Sequence, residues 1–150
     1  MRAVIQRVNM ASVTIGNDTI STIKNGLLIF LGVEIEDCKE DCLWLAKKIV
    51  NLRIFTNKNG KMNNSIIDID GDLIVVSQFT LHAKTKKGNR PSFIRSATPE
   101  QANSLYLQFK EDLSKFISKD IFSGHFGADM KVSLINDGPV TIIIDTKNKE

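Results

Sequence analysis

Three short segments carry the groups best suited to chemistry. The first is Ser77-Gln78-Phe79-Thr80-Leu81, at the end of an apolar run. Strand alternation puts Ser77, Phe79 and Leu81 on one face, and Gln78, Thr80 and His82 on the other. Backbone N–H groups at such a strand end suit oxyanion stabilisation, with a hydroxyl close by. Thr80 and His82 invite a nucleophile–base pair, although nothing in the sequence orients the imidazole. Taken alone, the plainer reading is a strand leaving the core with Gln78 and Thr80 solvated.

The second segment is basic: Lys84, Lys86, Lys87, Arg90 and Arg95 lie between His82 and Ala97 with no acidic residue among them. That is a phosphate-sized patch, and Phe93 within it could pack or stack on a base. A solvated loop accounts for the composition equally well. The third segment is Asn136-Asp137-Gly138-Pro139-Val140-Thr141. Asp-Gly between two strands predicts a hairpin turn. Pro139 directly after it removes a ladder donor, and an X-Pro bond is the kind that is readily cis. A cis Gly138-Pro139 would aim two consecutive carbonyls the same way, as a rigid acceptor pair.

Other reactive side chains are few. The chain has two cysteines, Cys38 and Cys42, and two histidines, His82 and His125. Two cysteines four apart on a helix make no disulfide framework. The Cys and His spacing matches no metal motif, so neither a metal nor a cofactor is expected. With 150 residues, 42% of them hydrophobic and 25% charged, the chain is globular and long enough for one ordinary core. We therefore expect a single domain over 1–150. A net charge of +3 does not by itself announce a nucleic-acid binder. The longest apolar run, Leu27-Leu28-Ile29-Phe30-Leu31, is far short of a membrane span, and Ala3-Val4-Ile5 is too short for a signal peptide. These features point to the cytoplasm.

The elements that must position these segments follow from periodicity. Ala3 to Val8 reads as a covered strand, with Arg7 sharing a face with Ala3 and Ile5. Ala11 to Ile15 and Thr19 to Ile23 read as a hairpin, and Leu27 to Val33 as a strand buried on both sides. Asp37 with Glu40 predicts a helix start, followed by an apolar stripe of Leu43, Ala46, Ile49 and Val50. Arg53-Ile54-Phe55 reads as a short strand, Asn57 to Lys61 as a loop tip and Asp72 to Thr80 as a strand. Thr98, Pro99 and Gln101 open a second helix, with Ala102, Leu105, Tyr106, Phe109, Leu113, Phe116 and Ile117 on one face. Met130 to Ile135 and Val140 to Asp145 are the last two strands. The order β-β-β-α-β-β-α-β-β predicts an α+β domain: a mostly antiparallel curved sheet, barrel-like, with two packed helices.

Together these segments closely resemble the D-aminoacyl-tRNA deacylase family. The resemblance is carried by Met1 to Val8, Gly60-Lys61-Met62-Asn63, Ser77 to Leu81, Arg90-Pro91-Ser92-Phe93, and Phe126-Gly127-Ala128-Asp129-Met130 leading into Asn136 to Thr141. It runs from Met1 to about residue 145 in the same order and spacing. The resemblance implies a homodimer of barrel-like subunits that hydrolyses the ester between a D-amino acid, or glycine, and the 3′ end of tRNA. It implies that Gly138-Pro139 is the family's Gly-cisPro motif, inserted into the partner subunit's site and braced by Arg7, where it excludes L side chains. Ser77, Gln78, Phe79 and Thr80 would line the ester, with the Phe79 and Thr80 N–H groups as oxyanion donors. Thr80 is the candidate catalytic side chain, although the substrate's 2′-hydroxyl would leave no need for a protein nucleophile. Phe126 and Met130 would bound an adenosine pocket, and Lys84, Lys86, Lys87 and Arg90 would meet tRNA. The alternative is a non-catalytic module that binds an RNA end.

Overall fold

The computed structural model describes residues 1–150, folded into eight strands and two α-helices. β1 (Arg2–Ile15) is one strand, where the sequence predicts two. Asn9 and Met10 are exposed and read locally as a break. They mark instead the place where β1 passes from one neighbour to another: Arg2 to Val8 pair with β3 (Gly26–Gly32), and Ala11 to Ile15 with β2 (Asp18–Ile23).

β3 is buried throughout except at Phe30, which stays half-buried, as its unbroken apolar run predicts. It pairs antiparallel with β1 and parallel with β6 (Asp72–Ser77), and β6 pairs parallel with β7 (Phe122–Ser123). Alternate residues of these strands feed two cores. Leu27, Ile29, Leu31, Leu73 and Val75 join the larger cluster against the helices, while Leu28, Ile74 and Val76 join a smaller one with Val8 and Val13. The sheet is mixed and curls nearly into a barrel. β4 (Phe55–Thr56) and β5 (Met62–Asn64) form a separate small hairpin, so Arg53 and Ile54 precede the strand.

α1 (Lys39–Val50) is capped by Cys38, one residue later than predicted. Asp37 is occupied elsewhere: its buried carboxylate accepts from the Met1 ammonium and from the Glu34 N–H. Asp41 instead accepts the Cys38 N–H at 3.0 Å. The core stripe therefore counts from Cys42, with Leu45, Ala46, Ile49 and Val50 buried and Leu43 exposed. The Cys42 thiol donates to the Leu105 carbonyl at 3.4 Å, joining α1 to α2 (Pro99–Ile117). α2 begins as predicted, with Thr98 accepting the Gln101 N–H and Pro99 at the first position. Leu105, Tyr106, Phe109 and Leu113 are its buried face.

β8 (Lys131–Asp145) corrects the expected hairpin. Both halves run antiparallel to the same strand, β1, so the chain does not reverse. Between two paired positions β1 advances only from Val8 to Gln6, while β8 advances from Asn136 to Thr141. Residues 137–140 are extruded opposite Arg7 as a large bulge. The sequence Asp-Gly-Pro marks that extrusion and not a turn. The outer edge of β8 has no strand partner within the chain, and Ile135 and Ile143 are exposed along it.

Candidate active site

β6 ends at Ser77, and the Gln78 N–H is taken by the Leu31 carbonyl at 2.8 Å. The chain then enters a 3₁₀ turn over Phe79–His82, so strand alternation stops and the predicted shared face of Thr80 and His82 does not exist. His82 is buried against Gly32. A side chain on Gly32 would place its Cβ 3.0 Å from both the Gln78 carbonyl oxygen and the His82 ring, so the turn would have to shift outward to admit one. The Thr80 hydroxyl accepts from the Gln78 side-chain amide at 2.6 Å. No Thr80–His82 pair forms.

The turn is held by its carbonyls. Phe79 O accepts from the Ser96 hydroxyl at 3.2 Å, Thr80 O from the Ala83 N–H at 3.1 Å and Leu81 O from Arg2 Nη1 at 2.7 Å. The first N–H groups of such a turn have no acceptor within it, and no side chain caps this one. Neither the Phe79 nor the Thr80 N–H has a hydrogen-bond acceptor within the chain.

Ser77, Gln78 and Phe79 line a cavity of about 520 Å³ together with Phe126 and Met130. Its floor is Leu31, Val33 and Val76, and α2 contributes Ala102 and Tyr106. The Tyr106 hydroxyl donates to the Val75 carbonyl at 2.9 Å, and burial pushes its pKa up to about 12, so the ring is a neutral wall. Tyr106 and Phe126 meet at 5.8 Å between ring centroids, making one side of the cavity aromatic. The periodicity of α2 marks Tyr106 only as a core residue; nothing local in the sequence shows that it faces a cavity.

The basic segment is tied to this site. Lys84 and Ser92 exchange backbone hydrogen bonds at 2.8 and 3.0 Å, closing the loop between them, and Phe93 packs edge-on against Phe79 at 4.9 Å. Lys84, Lys86, Lys87 and Arg90 are exposed and have no acidic partner. Arg95 differs: it pairs with the buried Glu34 and pins the end of the loop to the sheet.

Arg7 and the 138–139 bulge lie outside the cavity. The Gly138–Pro139 bond is cis. Arg7 is buried, with Nε 3.0 Å from the Asp137 carbonyl and Nη1 2.5 Å from the Ile54 carbonyl. Arg7 and Asp137 line a separate polar hollow of about 460 Å³. Nowhere do three His, Cys, Asp or Glu side chains come together to hold a metal ion. No helix is long and apolar enough to cross a membrane.

The family model for D-Tyr-tRNA(Tyr) deacylase matches residues 4–145. This chain belongs to that family. Among its relatives, a D-aminoacyl-tRNA deacylase of Bacteroides fragilis (strain YCH46) is 60% identical over 150 residues, covering 100% of both chains. One of Christiangramia forsetii is 58% identical over 149 residues, covering 99% of each. A solved structure described as a c-Myc DNA Unwinding Element Binding Protein superposes with a TM-score of 0.91 at 42% identity, over 97% of this chain and 98% of the other. A second, described as a probable eukaryotic D-amino acid tRNA deacylase, is only 15% identical with a TM-score of 0.83, over 95% and 97% of the two chains, and shares the fold. The family is one of hydrolases, and the two helices on a nearly closed mixed sheet are its fold. Membership makes tRNA the partner class against which the cavity and the basic loop are to be read.

Proposed function

We propose that this chain hydrolyses the ester joining a D-amino acid to the 3′-terminal ribose of tRNA, and accepts glycine. The observation that carries the reading is the turn at Phe79–His82: its Phe79, Thr80 and Leu81 carbonyls are engaged, its Phe79 and Thr80 N–H groups have no acceptor in the chain, and Phe79 lines an aromatic-walled cavity. In this reading the terminal adenosine enters the cavity, bounded by Phe126 and Met130, and the ester lies along Ser77, Gln78 and Phe79. The Phe79 and Thr80 N–H groups receive the oxyanion that forms when the carbonyl is attacked. An aminoacyl ester beside an ammonium is already activated, so positioning and oxyanion stabilisation carry the reaction. The substrate's 2′-hydroxyl assists, and no protein nucleophile is required.

Chirality is read by backbone. The 137–140 bulge stands out from β8, whose outer edge is free, and Arg7 fixes its base. A homodimer would bring Gly138-Pro139 of each subunit to the other's cavity, where their carbonyls take the α-ammonium. An L side chain would meet this wall, a D side chain would point away from it, and glycine has nothing to clash. Lys84, Lys86, Lys87 and Arg90 are free to meet the phosphates of the tRNA end. Action on aminoacyl-tRNA places the protein in the cytoplasm.

The same free cations would also suit a non-catalytic RNA-end binder. Multiple turnovers of D-tyrosyl-tRNA by purified protein separate the two; salt-sensitive binding of uncharged tRNA without turnover would favour the binder. Thr80→Ala should retain substantial activity. A folded Thr80→Ala with nearly complete loss would make the Thr80 hydroxyl the nucleophile.

A further inference from the structure

The site turn is too short to hold its own shape. It is one 3₁₀ turn, and its opening internal bond, Leu81 N–H to Gln78 O, is long at 3.3 Å. The external bond to the same residue is much shorter: Arg2 Nη1 reaches Leu81 O at 2.7 Å across 79 residues of sequence. Arg2 is itself held before it meets the turn. Its Nε and Nη2 both bind Asp145 Oδ2, at 3.0 and 2.7 Å, so two edges of the fork are fixed and the third nitrogen points at one carbonyl. Both side chains are partly covered, 33% and 14% exposed.

The register explains the placement. Arg2 and Asp145 are opposed on β1 and β8, and on its other side Arg2 is opposed to Gly32, the residue against which Gln78 and His82 settle. The three strand positions under the turn are thus an arginine that pulls its carbonyl, an aspartate that aims the arginine and a glycine that lets the turn come close.

We infer that Arg2, aimed by Asp145, is a positioning residue for hydrolysis: through the Leu81 carbonyl it sets where the Phe79 and Thr80 amides stand over the reacting ester. Arg2 acts through the turn and touches no substrate. The inference rests on the deacylase reading of that turn. It also makes a choice between two ways in which a cation near an oxyanion can act. A guanidinium acting by its field would act more strongly without Asp145, whereas a guanidinium acting by its fork needs Asp145 to aim it.

The test is steady-state hydrolysis of a D-aminoacyl-tRNA by wild type, Arg2→Lys, Arg2→Ala and Asp145→Asn, with a thermal melt of each. Loss of the fork should lower kcat about 10- to 100-fold in both Arg2 variants, as for a misplaced reacting group, with KM within about threefold. Arg2→Lys keeps the charge and should not rescue. Asp145→Asn should lower kcat by a smaller factor, about three- to tenfold, and if Arg2→Ala does not fold this variant decides the matter. An Arg2→Lys kcat within twofold of wild type, a rise in KM with kcat unchanged, or a faster Asp145→Asn enzyme would each overturn the inference. So would a kcat loss that merely tracks the unfolded fraction at the assay temperature. Absence of wild-type turnover would sink the deacylase reading and this inference with it. Wild-type turnover with an unaffected Arg2→Lys would sink the inference alone.

Discussion

Replacing Gly138 by alanine tests how firmly the bulge is held. Gly138 has φ +129°, a region that L residues rarely adopt, and holding an alanine there costs about 1–3 kcal/mol. The new Cβ would lie 2.9 Å from Arg7 Nη2 and 2.9 Å from Val140 Cγ2, where ordinary contact is about 3.5–4.0 Å. An exposed arginine would swing aside at little cost. Arg7 is 8% exposed and bonded to the Ile54 and Asp137 carbonyls, so yielding loosens a charged hydrogen bond for about 1 kcal/mol more. The sum, about 2–4 kcal/mol, corresponds to a fall in Tm of roughly 5–15 °C for a chain of this size. If Gly138-Pro139 is the chiral wall proposed above, the same displacement moves it, and the ratio of D- to L-tyrosyl-tRNA hydrolysis should fall as well. The assays are a thermal melt and the paired deacylation. A Gly138→Ala protein that melts within about 2 °C of wild type and discriminates as strictly would refute both the strain argument and the bracing role of Arg7.

Three further outcomes follow from the same contacts. Neutralising Lys84, Lys86, Lys87 or Arg90 singly should raise KM for tRNA substrates and flatten the salt dependence of kcat/KM by about 0.7 in log–log slope per cation; an unchanged slope would remove that residue from the tRNA path. Burial pushes the Cys42 thiol up to about 12, so at about pH 8 a thiol reagent should label Cys42 only after unfolding, and rapid native labelling of both cysteines would contradict the packing of α1 on α2. Burial raises the Asp41 carboxyl, but hydrogen bonds from Lys147 and the Cys38 N–H outweigh it and hold the group well below the usual range. Its stabilising effect is complete above the ordinary carboxylate pKa of about 3.9 and lost as pH falls through the depressed value, so urea melts should separate Asp41→Asn from wild type at neutral pH and bring them together in strong acid. An equal gap at both would contradict the pairing.

What the sequence reveals is what neighbouring residues decide. β3 is legible because seven consecutive residues suit burial on both faces, and α2 because its cap, its proline and its stripe agree. The errors fall where a distant partner decides. Asn9-Met10 and Asp137-Gly138-Pro139 look like breaks, yet pairing along β1 and β8 carries each strand past them. Asp37 looks like a cap, yet the Met1 ammonium and the Glu34 amide occupy it. At the site, Ser77, Gln78 and Phe79 stand out as the end of an apolar run, Phe126 and Met130 only through the family resemblance, and the fold brings all five to one cavity. The strand-end geometry was not legible, because the 3₁₀ turn that breaks alternation rests on Arg2, Ser96 and Gly32, none of which is local to it.

The central claim is that a backbone wall and backbone donors together hydrolyse D-aminoacyl esters and refuse L ones. The most direct measurement is the rate of amino-acid release from D-tyrosyl-tRNA and L-tyrosyl-tRNA by the same preparation, under the same conditions. The account predicts catalytic release of D-tyrosine with an excess over L-tyrosine of about 10²-fold or more, as expected for rejection by clash. Equal release of both, or release of neither, would contradict it.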